Sequence, residues 1–189
     1  GMPERSRSSG PSSGVHTQIC SSPARLLYAL YIIIMENERL KKQLEFCREI
    51  DKEKFIGRQT YKSDAQTKEN DAEHAWHMAV MTVLLSEYAN EKIDVLKTVT
   101  MLLIHDIVEI DAGDTYAYDE EGKKTQRERE VKAADRIFGI LPDDQRDNFR
   151  NLWEEFEKGE TPEAKFAHTM DNFQPAMLND LTEGKSWVE

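Results

Sequence analysis

The chain has 189 residues, enough for one domain with a proper core and little room for two. Hydrophobic residues are 39% and charged residues 32%, so a globular protein with a strongly charged surface is expected. The formal net charge of −11 argues against a general binder of nucleic acid or acidic membrane, because phosphate backbones need a basic face. A small phosphorylated substrate stays open, since one metal ion inverts the local sign of a site. The two cysteines, Cys20 and Cys47, form no CxxC motif and no disulfide framework, which points to a reducing compartment, the cytoplasm.

Residues 1–24 are dominated by Ser, Gly and Pro without apolar period and read as a flexible arm, with Gly1 before Met2 taken as an expression scar. Leu26–Met35 (LLYALYIIIM) is too short for a bilayer, which needs about 20 residues. It reads as a packing or upstream helix, not an export signal, because MENERLKK follows instead of a small-residue cleavage site. Met35 is a candidate natural start. Residues 1–34 are therefore a flexible or helical extension, and 35–189 the domain.

From Asn37 to Phe55 the pattern is helical, with Leu40, Leu44, Cys47 and Ile50 recurring and Phe46 beside them. Residues 56–68 break the period and read as a loop or short irregular strand pair carrying Arg58, Lys62 and Lys68. Asn70 or Asp71 is a good N-cap for a helix over 72–89, with Ala75, Met78, Ala79, Thr82, Leu85 and Tyr88 inward and Trp76 in the core or a pocket wall. A further helix is expected over 94–110, with the segment His105-Asp106 on its last two turns and Gly113 as its stop. Residues 114–124 read as an acidic surface loop. Helices follow over 125–140, then from Pro142 as a first helical position to Gly159, then from Thr161 as N-cap, with Phe166, Met170, Phe173 and Met177 inward. No segment alternates with period two for long. The fold class read from this pattern is all-α.

The chemistry concentrates in MLLIHDIVEIDAGDT, residues 101–115, and in ENDAEHAWH, residues 69–77. Ligand-type side chains in a greasy segment are costly unless something pairs with them, and a cation would. His74, His105, Asp106 and, far downstream in TMDNFQP, Asp171 offer two imidazoles and two carboxylates, a set for Mn, Fe, Co, Ni or Zn. His77, three residues past His74, reads as a neighbour of a ligand or a packing residue, without a second metal.

These words resemble the HD-domain metal-dependent phosphohydrolases, in the branch that contains the 5'-deoxynucleotidases. The H…HD…D signature stands here as His74, His105-Asp106 and Asp171, and the similarity runs from about Leu40 to Trp187. The resemblance implies an HD-domain helical bundle with its metal site between helices. It implies one divalent ion (Mn, Co, Fe, Ni, Zn or Mg) on His74, His105, Asp106 and Asp171. Glu109 would handle the proton of the attacking water and Asp114 would lie near substrate and water. Arg58, with Lys62, would hold the substrate. The implied reaction is removal of phosphate from (deoxy)nucleoside 5'-monophosphates by metal-activated water; the implied partner is that nucleotide, with no nucleic acid or membrane, in a homodimer.

Three rivals remain. A di-iron oxygenase on this fold needs further histidines, and only His168 follows the pair. A hydrolase of triphosphates or guanosine alarmones needs a larger basic pocket than the motifs offer. A non-catalytic metal- or nucleotide-binding regulator would have little use for Glu109 and Asp114.

Overall fold

The computed structural model describes residues 23–113 and 120–187; Asp114 and the arm up to residue 22 lie outside that range. Residues up to Glu36 and Asn37–Glu189 form separate compact units. The first holds helix α1 (Pro23–Glu36).

In the second unit, helix α2 (Glu38–Glu49) starts at Asn37, whose side chain accepts the Leu40 N–H at 3.0 Å. The helical pattern that continues to Phe55 tightens into a 3-10 turn at Ile50–Phe55. Phe46 is the buried residue of α2, and Cys47 is exposed. Strand β1 (Gly57–Tyr61) then pairs antiparallel with β2 (Lys68–Asn70), joining Gly57 to Asn70 and Tyr61 to Lys68 with a register shift between.

Strand β2 runs straight into helix α3 (Asp71–Leu85). Asn70 and Glu73 close a capping box: Asn70 Oδ1 accepts the Glu73 N–H at 2.9 Å, and Glu73 Oε2 accepts the Asn70 N–H at 3.1 Å. This clasp fixes the turn from which His74 points inward beside Ala75 and Met78. Trp76 is instead 65% exposed, because about 100° per residue puts it opposite that buried stripe. Tyr88, expected inside, is exposed in the 3-10 turn Ser86–Tyr88, out of phase with the helix.

Helix α4 (Val95–Ile104) begins at Asp94, which caps Lys97 N–H at 3.0 Å. The expected continuous helix to Ile110 is not formed. His105–Val108 make a buried 3-10 turn, and a single α-turn, α5 (Glu109–Ala112), ends at Gly113 with φ 74°. A 3-10 turn advances about 120° per residue, so the segment leaves the phase of α4 and His105 and Asp106 both turn inward.

Helix α6 (Glu120–Phe138) starts inside the stretch read as a loop. Helix α7 (Asp143–Lys158) has Pro142 at its N-cap, one position before the expected one, and stops at Gly159 in the left-handed region, φ 62°. Helix α8 (Pro162–Leu181) starts as the sequence indicates, with Thr161 capping Ala164 N–H at 3.2 Å. On α8 Phe166 and Met170 are buried, while Phe173 is 46% exposed.

Two apolar clusters form the core. One joins Phe46, Ile104, Ile107, Val108, Ile137 and Trp153; the other joins Met78, Met101, Leu102, Phe156, Phe166 and Met170. Each fully buried side chain of this size contributes about 1.5–3 kcal/mol. Ile104 and Ile107, on either side of the His105-Asp106 pair, belong to the first cluster, and Met101 and Leu102 just before them to the second, so the pair sits where the two clusters meet.

Candidate metal centre

Three helical elements bring their polar residues to one place. His74 comes from the first turn of α3, His105 and Asp106 from the 3-10 turn, and Asp171 from the middle of α8. One ligand atom each from His74, His105 and Asp171 lie within 4.8 Å of one another. His74 Nε2 is 3.0 Å and His105 Nε2 3.8 Å from Asp171 Oδ1. Two neighbouring ligands bonded at about 2.1 Å to a common ion stand about 3 Å apart, so the spacing suits a cation.

Each imidazole is fixed from behind. His105 Nδ1 donates to the Leu102 carbonyl at 3.0 Å, and the ring packs on Phe156 with centroids 4.7 Å apart. His74 Nδ1 meets Gln174 Oε1 at 2.8 Å. Both rings thereby turn Nε2 toward Asp171. His105 Nε2 is buried and makes no aligned hydrogen bond, although Asp106 Oδ1 is 3.0 Å away. An orphaned nitrogen ringed by carboxylate oxygens is what a cation's ligand set looks like, and the residues fit a divalent metal.

The acids respond to these neighbours. Burial opposes ionisation of Asp106, but His105 and the Arg58 guanidinium hold it down at about 2. Burial also opposes Asp171, which the facing His105 and His74 imidazoles hold far below the ordinary carboxylate range. Against burial, Asp106 and Asp171 raise His105 well above its ordinary value. Asp71, fully buried, is pushed up to about 7 by burial first and then by Asp106, with Arg58 opposing.

The expected site residues separate. His74, His105 and Asp171 converge. Asp106 adjoins them through His105, while its Oδ2 is held by Arg58 Nη1 at 2.9 Å. Glu109 stands at the start of α5, close enough to Asp71 to help hold that carboxyl down. Arg58 lies among the acids, also reaching Asp71 Oδ1 at 3.1 Å. Lys62 pairs with Glu73 at 3.0 Å in a half-exposed position. Helix α6 braces α5, with Arg129 on the Ala112 carbonyl and Arg136 Nη2 bridging Asp111 and Glu49 at 2.8 and 2.7 Å.

The sequence profile of the HD domain matches residues 50–189. The chain belongs to the HD-domain family. The His-Asp dipeptide of this HD-domain chain, His105-Asp106, lies at the core junction. The chain is 30% identical over 129 residues to a human protein named 5'-deoxynucleotidase HDDC2, covering 68% of this chain and 62% of that one. It is 32% identical over 106 residues to the Danio rerio protein of that name, covering 56% and 52%. The match therefore spans less than two thirds of those relatives' length. The crystal structure of a predicted metal-dependent phosphohydrolase from Magnetospirillum magnetotacticum MS-1 is 51% identical, with a TM-score of 0.76, covering 80% of this chain and 76% of that one.

Sequence reasoning passed over Glu53, Glu69 and Gln174, all buried, and treated Asp71 only as a cap. Gln174 had a signal: it follows Asp171 by one helical turn and shares its face. Glu53, in the turn after α2, and Glu69, in the short strand β2, had none, since acids in such places ordinarily face water.

Proposed function

We propose that this HD-domain chain is a divalent-metal phosphohydrolase that releases phosphate from (deoxy)nucleoside 5'-monophosphates. The observation that carries the reading is the convergence of His74, His105 and Asp171 ligand atoms from separate helical elements to within 4.8 Å. The relatives named 5'-deoxynucleotidase support the monophosphate substrate.

In this reading His74, His105, Asp106 and Asp171 would hold the ion, whose charge would make a water acidic and a phosphoryl group electrophilic. Glu109, backed by Asp71, takes the proton of the attacking water as its oxygen bonds to phosphorus. The bond from phosphorus to the nucleoside oxygen breaks in line, and that oxygen recovers a proton from the same carboxyl pair. Arg58 offers its charge to the phosphate, with Lys62 and Asp114 on the substrate side.

The test is phosphate release from a panel of nucleoside 5'-monophosphates with Mn, Co, Mg or Zn. Release from several of them is expected. Release confined to triphosphates or alarmones would replace the substrate class, and tight nucleotide binding without release would make the chain a regulator.

We further propose that residues 35–189 are the catalytic domain and that it works as a homodimer in the cytoplasm. The exposed thiol of Cys47 suits a reducing compartment. Helices α3 and α4 expose Trp76, Val80, Val83, Leu84, Leu96 and Leu103. No Asp, Glu, Lys or Arg occurs from His74 to Ser86 or from Thr98 to His105, so two copies of an acidic chain can meet there without like-charge repulsion. Light scattering should give a dimer, and Trp76→Arg a monomer.

A further inference from the structure

Gln174 is fully buried in the middle of α8, one turn past Asp171. Its Oε1 lies 2.8 Å from His74 Nδ1, and its Nε2 lies 2.9 Å from Glu69 Oε2 and 3.2 Å from His77 Nδ1. These contacts fix one another in sequence. The amide NH2 donates to Glu69 Oε2. The amide oxygen then faces His74 Nδ1, which must carry the proton. Nε2 is then the nitrogen left for a cation, and without one it lies 3.0 Å from Asp171 Oδ1, within hydrogen-bond reach. The second amide hydrogen goes to His77 Nδ1, so His77 accepts through that nitrogen and keeps its proton on Nε2.

We infer that Gln174, oriented by Glu69 and steadied by His77, is the positioning residue that decides which nitrogen His74 offers to the metal centre. The inference rests on the metal-centre reading above. Its physical basis is a competition. Without the amide oxygen nothing holds a proton on Nδ1, and a ring whose single proton stays on Nε2 remains bonded to Asp171 Oδ1, 3.0 Å away. That bond would use both ligand atoms on each other and close the site to a cation. His77 anchors the amide and is no ligand, which accounts for a second histidine one turn from the first.

The test is zinc affinity of the full chain by chelator competition, with the His74 ring N–H followed by NMR in the zinc-loaded, histidine-labelled protein. Gln174→Met keeps the volume and removes both polar atoms. It is expected to weaken zinc binding about 10–100-fold and to abolish the protected Nδ1–H resonance. The exchange variant, Glu69→Gln with Gln174→Glu, puts the amide at position 69 and the carboxylate at position 174. An acceptor again faces His74 Nδ1, so affinity and resonance should return near wild type. Wild-type zinc affinity in Gln174→Met with the resonance kept would overturn the inference. If Gln174→Met does not fold, the exchange variant decides, and its failure to bind zinc while folded overturns it equally. A wild-type chain that binds no zinc would instead overturn the metal-centre reading.

Discussion

Arg58 Nη1 lies 2.9 Å from Asp106 Oδ2, so an arginine holds one oxygen of the HD pair's own carboxylate. The same nitrogen reaches Asp71, and Arg58 Nε lies 3.8 Å from Glu69 Oε1. A guanidinium shared by three buried acids offsets the charge that this cluster would otherwise confine away from water. Arg58→Met should therefore destabilise the metal-free protein by about 3 kcal/mol. The variant should bind zinc more tightly, because the ion no longer competes with a guanidinium for Asp106. Urea unfolding in chelator and a zinc titration check the two halves. Weaker zinc binding in a folded variant would mean that Arg58 supports the ligand set instead of competing with it.

Removing a proposed ligand has the opposite signature. Asp171 is the carboxylate on which His74 and His105 both converge. Asp171→Ala should lose metal and phosphate release together, and so should Asp106→Ala. Thermal unfolding with and without metal gives a second readout, since an ion at about 100 times its Kd adds about 2.7 kcal/mol to a protein that binds it. Full metal content in either variant would remove that residue from the ligand set.

Glu53 supplies a pH prediction. It is 8% exposed, and burial, then Asp106 and Asp71, push its carboxyl up from 4.5 to about 7. The folded state thus binds this proton more tightly than the unfolded chain does. The stability from Glu53 is full below pH 4.5 and is lost as pH rises through 7. Glu53→Gln should match wild type near pH 5 and exceed it near pH 8 by about 1–3 kcal/mol in the metal-free protein. Urea midpoints at the two pH values decide it, and equal differences at both would place the Glu53 titration elsewhere.

The capping box at the head of α3 positions the proposed ligand His74 as well as a helix. Asn70→Ala should cost about 1 kcal/mol of stability. Because His74 lies in the first turn that this cap secures, zinc affinity should fall with it. Asn70→Asp keeps the acceptor and should restore both. A loss of stability with zinc affinity unchanged would show that packing around His74 suffices to place it.

Much of this protein was legible in the sequence because local rules act over a few residues. Asn70, Thr161 and Gly159 announced helix ends through caps and backbone freedom, and Met78, Phe166 and Met170 announced a core through their spacing. The motif words named His74, His105, Asp106 and Asp171 before any distance was known. Tertiary structure decided what spacing cannot encode. Packing at the junction of two apolar clusters tightened His105–Val108 into a 3-10 turn, which local propensity does not distinguish from a continuing helix. Folding also buried Glu53, Glu69 and Gln174 and drew Arg58 onto Asp106, joining residues dozens of positions apart in the chain. Such pairings exist only when distant segments meet, because a polar side chain takes its role from the partner that burial leaves within reach.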